Sequence, residues 1–403
     1  MPDSNHPAHL ISLSRLTGAS GLPSWYRLGL LLFCWMGILN ASWAQQDSLE
    51  PKQDPAIRGY GFQLLRGFVL GQGKEVAHLA YEPTFGAQFD IMPRHLISRP
   101  WLNAYHHAHF GYTLLVNSNG PNSILGTSVA AAIFMETHVL RRQRHKILFR
   151  AGFGPTWSSS PWDLNRNPLN VAIGSTITAL LQGSLTYSTA ITPQLWLRSG
   201  VVLTHYSNGS YTMPNYGLNM PALSVGLNYY VQPPSDRRPP VPRNTTALFQ
   251  PDSLPTWRHE LKGYVVGQLG VAETFPTSGP KYSTIMLGGF LSYRVGLKSA
   301  LTGGVEYMYN NTMKPFSETV PEYRGKDITR WAVTLGHDLH INKVNVHTQL
   351  GIYVYKPIAY QGAVYQRLTS TYEIMDRVRA GISLKLHGFS AETLEGTVAV
   401  RVF

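Results

Sequence analysis

The sequence predicts an all-β fold, an antiparallel transmembrane β-barrel, and three observations carry that reading. Segments of about ten residues alternate apolar with polar or glycine positions along most of the chain. Beyond residue 44 no window holds the ~18 consecutive apolar residues of a spanning helix. The chain ends on a strand, TVAVRVF, with Phe403 last. A period of two sets alternate residues on one face of a strand, and the segments approach the roughly 9–11 residues that a tilted spanning strand needs.

The N-terminal element reads as a secretory signal peptide over residues 1–44. Arg15 and Arg27 precede the apolar run Leu28–Leu39, and Ser42 and Ala44 stand at −3 and −1 of a cleavage site before Gln45. The run is too short for a membrane anchor, which takes roughly 20 residues. The chain's one cysteine, Cys34, lies inside it. The exported chain is therefore expected to have no disulfide, no thiolate metal site and no cysteine nucleophile. The formal charge is +12. For an exported chain that balance suits lipopolysaccharide phosphates and anionic head groups rather than nucleic acid.

Eight strands are predicted in the first part, residues 45–232, near 58–71, 77–91, 106–117, 125–139, 145–155, 177–191, 195–207 and 222–232. In 195–207, Leu195, Leu197, Val201 and Leu203 oppose Trp196, Arg198, Gly200 and Thr204. In 145–154, Ile147, Phe149 and Phe153 oppose Lys146, Arg150 and Gly154, and far downstream Val344, Val346 and Ile352 oppose Asn345, His347 and Tyr353. Aromatics gather near strand ends (Tyr105, Tyr112, Trp157, Tyr229, Tyr230, Tyr353, Tyr355), as in an interfacial girdle. Residues 233–256 are rich in proline and read as a periplasmic linker. Roughly eight more strands fit into 257–403, so the chain is either two barrels in tandem or one wider barrel.

With the N-terminus on the periplasmic side, odd strands run outward. The joints RRQRHK (Arg141–Lys146) and TPQ then fall inside, and the longer loops 156–176 and 208–221 fall outside, as barrels require. Arg141–Lys146 is then a solvated or phosphate-facing turn. Trp157–Trp162 is an outer loop with interfacial aromatics. His107 and His109 share a strand face, but with no carboxylate nearby they make a poor metal site, which wants three or four ligands. His337 and Asp338 alternate faces and cannot act together.

One stretch stands apart, THYSNGSYTMPNYGLN at 204–219. His205 and Ser207 share the parity of the apolar face and lie at the outer end of their strand. They are expected to face lipid near the outer leaflet, where polar groups are costly and read as functional. Residues i and i+2 of a strand lie about 6.5–7 Å apart on one face, within reach of an imidazole leaning toward a hydroxyl. A serine becomes a nucleophile when a base takes its proton. The Asn208–Gly209 turn that follows can aim donors at an oxyanion. The blander reading, a strand end followed by a polar turn, fits the same four residues.

HYSNGS, Pro214-Asn215-x-Gly217-x-Asn219 and the strand ALSVGLNYYV resemble the lipid A 3-O-deacylase family, PagL. Segments YRVGLKSALTGGVEYMYN, TLGHDL, GIYVYKP and LKLHGFSAETLEG are similar to the second part of larger relatives, the acyloxyacyl hydrolases. The resemblance implies an eight-stranded outer-membrane barrel that cleaves an ester-linked acyl chain from lipid A without metal or cofactor. It implies His205 as base, Ser207 as nucleophile, and Asn208 with the Gly209 backbone at the oxyanion. The family's third member is a glutamate, and Asn219 stands near its place. An asparagine can orient a histidine through its carbonyl but supplies no charge. Either Asn219 serves with a weaker base, or an acid reaches in from elsewhere (Glu136, whose parity points to the lumen, or Asp236 in the linker). The remaining alternative is a non-catalytic barrel, a pore or a structural protein with a degenerate motif.

Overall fold

The computed structural model describes residues 59–231 and 256–403, apart from positions 72, 94–100, 102–103, 106–107, 143, 275–276 and 389. The predicted signal peptide, most of the proline-rich linker with Asp236, and His107 lie outside the described residues.

Sixteen strands form two closed antiparallel barrels of eight, one after the other. The first contains β1 (Gly59–Phe68), β2 (Pro83–Met92), β3 (His109–Ser118), β4 (Thr127–Arg141), β5 (His145–Ser158), β6 (Ile177–Ala190), β7 (Leu195–Ser207) and β8 (Leu218–Tyr230). The second contains β9 (Leu261–Glu273), β10 (Lys281–Arg294), β11 (Ser299–Asn310), β12 (Thr329–Ile341), β13 (Val344–Tyr355), β14 (Val364–Met375), β15 (Val378–His387) and β16 (Ser390–Arg401). Each closes on itself, β1 pairing with β8 and β9 with β16. The single wide barrel is thereby ruled out in favour of the tandem.

Two predicted boundaries move furthest. The second strand starts at Pro83, not at 77, because Ala77–Leu79 coils into a 3-10 turn that buries Leu79 under the loops. β8 starts at Leu218, not at 222, because the β7 ladder runs on past Pro221, opposite Leu203, to the pair Tyr206↔Leu218. The extension brings Asn219 into the sheet.

Parity holds along the strands except at bulges near His138/Leu140, Trp331/Ala332, Glu373/Met375 and Lys385/Leu386. Outward-pointing Leu181, Val201, Leu223, Leu269, Leu335 and Leu350 are exposed, while the residues between them turn inward. The outward belt is apolar, as lipid requires. The lumens are polar and ion-paired. In the first, Arg150 grips Asp90 at 2.6 and 2.9 Å, and Arg198 grips Glu136 at 2.5 and 3.1 Å. In the second, Arg367 binds Glu306 at 3.1 Å and also Glu395, Arg379 binds Asp338 at 3.0 Å, and Arg330 and Lys385 share Glu392 at 2.9 and 2.8 Å. Each of these buried charges meets its opposite, which is the condition for keeping it there.

At one end the loops of the first barrel pack into an apolar cap that includes Val69, Leu79, Leu125, Ala172, Ile173, Tyr206 and Leu218. This is the end reached by β7. At the other end the barrels touch. Tyr105 packs among Leu297, Leu339 and Ile341, and its hydroxyl donates to the carbonyl of His340 at 2.5 Å. His109 stacks edge-on against His138 with centroids 5.5 Å apart.

Candidate active site

The last turn of the β7 ladder sets the geometry. Alternation puts Thr204 and Tyr206 inside and His205 and Ser207 outside, on the face of Val201 and Leu203. The inward Tyr206 is fully buried, and its hydroxyl accepts from Asn117 Nδ2 at 2.9 Å, so this end of the strand is pinned from within. His205 stands directly opposite Leu181 of β6 and Asn219 of β8, and Ser207 opposite Ala179.

The pairing with Asn219 is a side-chain contact as well as a register. His205 Nδ1 lies 2.8 Å from Asn219 Oδ1. An amide oxygen only accepts, so the ring proton sits on Nδ1 and the lone pair on Nε2, the tautomer of a general base. The ring lies on Gly217, whose φ of +77° is left-handed; a Cβ there would approach Cε1 to 2.9 Å. Glycine is required twice over, for backbone and for space.

Ser207 Oγ accepts from two donors, and its own hydroxyl donates to Asn215 Oδ1 at 3.4 Å. Asn215 Nδ2 donates to it at 2.9 Å and the Gly209 backbone N–H at 3.2 Å. Asn215 Oδ1 in turn accepts the Asn208 N–H at 3.0 Å. The Asn208 amide nitrogen turns away from the serine and braces the loop, donating to Ser175 Oγ at 3.0 Å and the Thr212 carbonyl at 2.8 Å. Of the expected oxyanion pair, the Gly209 N–H faces the serine, while both nitrogens of Asn208 are engaged elsewhere. The loop between β5 and β6 backs this turn, since the Ala172 carbonyl accepts the Gly217 N–H at 3.0 Å.

Glu136 sits in the lumen, 1% exposed and ion-paired with Arg198, so it does not reach the imidazole. His337 and Asp338 alternate as expected, with Asp338 buried on Arg379. Trp157 ends on the exposed face of β5, and Trp162 opens the following loop with its N–H on the Ile173 carbonyl at 2.8 Å. Asn215 is the residue that strand reasoning missed. It belongs to no strand, and only the folding back of 208–217 brings it to Ser207; Pro214-Asn215 was visible as a motif without a role.

Family models match both barrels. One described as lipid A 3-O-deacylase (PagL) matches residues 81–228, and one described as acyloxyacyl hydrolase, C-terminal domain, matches 259–403. No curated protein matches. Among solved structures, Neisserial surface protein A is 11% identical and aligns over 43% of this chain and 96% of its own, with a TM-score of 0.30. The Acinetobacter baumannii outer membrane protein Omp33 is 10% identical over 86% of this chain and 99% of its own, with a TM-score of 0.16. A Rh. blastica porin mutant is 8% identical with the same coverage and TM-score. With the two matches spanning both barrels, the chain belongs to the PagL lipid A 3-O-deacylase family of outer-membrane barrels, in a two-barrel form that carries the acyloxyacyl hydrolase C-terminal domain.

Proposed function

We propose that the protein hydrolyses an ester-linked acyl chain of lipid A in the outer leaflet, with Ser207 as nucleophile and His205 as its base. The observation that carries the reading is a histidine and a serine on the lipid-facing side of a rim strand, with the histidine Nδ1 held by Asn219 at 2.8 Å. Lipid A brings its acyl chains along the apolar wall and its ester carbonyl to the rim. Ser207 Oγ attacks the carbonyl carbon while its proton passes to His205 Nε2. The Gly209 N–H and Asn215 Nδ2, both already on Oγ, are the donors best set to receive the charge that develops on the adjacent carbonyl oxygen. The tetrahedral adduct expels the sugar oxygen, which leaves with the proton from Nε2. Water, deprotonated by the same imidazole, then attacks the acyl-enzyme and releases a 3-hydroxy fatty acid and free Ser207.

Asn219 orients the ring and fixes its tautomer, without the negative charge that would stabilise the imidazolium. The filled, ion-paired lumens favour this reading over a pore. Residues 1–44 would direct export and leave, and the proline-rich segment would join the barrels on the periplasmic side. The test is mass spectrometry of lipid A from cells with and without the protein and its Ser207→Ala variant. Acyl release that is equal in wild type and variant rejects the mechanism, and ion conductance in planar bilayers favours the pore.

A further inference from the structure

We propose that the second barrel is a positioning part of the deacylase site, its outer rim clamping the turn that carries the oxyanion donor. The inference rests on the hydrolase reading of Ser207.

Four consecutive residues of the first barrel, Gly209 to Thr212, are held by the rim of the second. Ser210 Oγ donates to the Ala391 carbonyl at 2.5 Å, and the Ser210 carbonyl accepts the Glu273 N–H at 3.0 Å. Gly209 lies flat on Leu394; a Cβ built on it would stand 2.7 Å from the Leu394 Cβ. Lys281 Nζ donates to Thr212 Oγ1 at 3.2 Å and lies 4.6 Å from the centre of the Tyr211 ring. Lys281 is itself fixed by Glu273 at 3.3 Å. The grips come from the ends of β9, β10 and β16, three neighbours in one barrel.

Gly209 and Ser210 both adopt left-handed backbone, φ +64° and +66°. For serine that conformation is uncommon. Here it is fixed by two hydrogen bonds to the other barrel. The turn that Gly209 and Ser210 form begins with the Gly209 N–H that donates to Ser207 Oγ. Outer loops of a barrel are ordinarily its most mobile parts, and an oxyanion donor works through being fixed before the charge appears. The second barrel supplies that fixation from outside, as the loop between β5 and β6 does from within. The Tyr105–His340 contact at the opposite end keeps the two barrels from pivoting about the clamp.

The test is kinetic and is made on the whole chain. Ser210→Ala removes the bond to Ala391 and should lower kcat by about tenfold, the size expected for a loosened oxyanion donor, with KM changed less than about twofold. Ser210→Thr keeps the hydroxyl and should recover most of the loss. Ser210→Ala at wild-type kcat, beside an inactive Ser207→Ala, overturns the clamp and leaves the hydrolase reading standing. Full activity in Ser207→Ala removes the hydrolase reading, and the clamp's catalytic role with it. Should Ser210→Ala fail to assemble, the pair Ser210→Cys with Ala391→Cys decides, since the chain's one cysteine, Cys34, falls in the predicted signal peptide. An oxidised cross-link within one assembled chain, with kcat kept, supports the clamp. Assembled protein that forms no cross-link overturns it.

Discussion

The two barrels share strand number and closure but part company at one strand end. In the first, β7 finishes on His205 and Ser207, and residues 208–217 connect it to β8. In the second, the corresponding strand β15 finishes on His387, and only residues 388–389 intervene before β16. His205 faces outward and meets an amide; His387 turns inward, its Nε2 on Glu392 at 2.9 Å. One histidine lies on the lipid-facing side at the candidate site, the other in an ion-paired lumen. The difference teaches that the barrel is a neutral frame, and that parity and loop length at the rim decide whether chemistry is available. The first residues of β16, just past that short turn, then receive the long loop of the first barrel.

The largest expected effect tests whether the site is confined to the first barrel. Ser207→Ala should reduce acyl release by on the order of a thousandfold or more, as removal of a serine nucleophile does elsewhere, with both barrels still assembled. Residual release near wild type would mean that the second barrel, or another residue, does the chemistry. Next come the lumens. Arg198 serves one carboxylate and Arg367 two. Arg198→Ala should cost about 3–5 kcal/mol by stranding a buried charge, and Arg367→Ala at least as much. Urea unfolding in detergent reads both, and a smaller loss at Arg367 breaks the contrast between isolated pairs and a linked network. A smaller penalty is expected on the lipid face. Leu335, 74% exposed in the middle of β12, should lose about 2–4 kcal/mol as Leu335→Arg. A neutral outcome would mean that this wall does not meet lipid. The smallest effect concerns the amide. Asn219→Asp adds the charge that the imidazolium lacks and should raise kcat several-fold at neutral pH. A fall would show that the uncharged partner is the better fit.

Much of this was legible in the sequence because strands announce their faces. The outward Leu195, Val201 and Leu203 and the inward Arg198 were separable by parity alone, and the same rule set His205 and Ser207 on the lipid side. Partners across the lumen were not legible. Asp90 and Arg150, or Glu136 and Arg198, lie some sixty positions apart, and which strands face each other follows from closure, not spacing. The choice between one barrel and two was hidden for the same reason, because it depends on which distant strands complete the ladder. The opposition of His205 and Asn219 required β8 to begin four residues earlier than Pro221 suggested. Asn215 depended on a loop doubling back, for which alternation offers no signal.

The amide opposite His205 also bears on how the protein enters a bilayer. With asparagine there, the resting trio of imidazole, hydroxyl and carboxamide holds no formal charge. A glutamate at the same outward station would have to cross or border hydrocarbon while the sheet inserts, at a cost that grows with depth. On the proposed mechanism, the amide spares the inserting sheet that cost and leaves the imidazolium of turnover without the charge a carboxylate would supply.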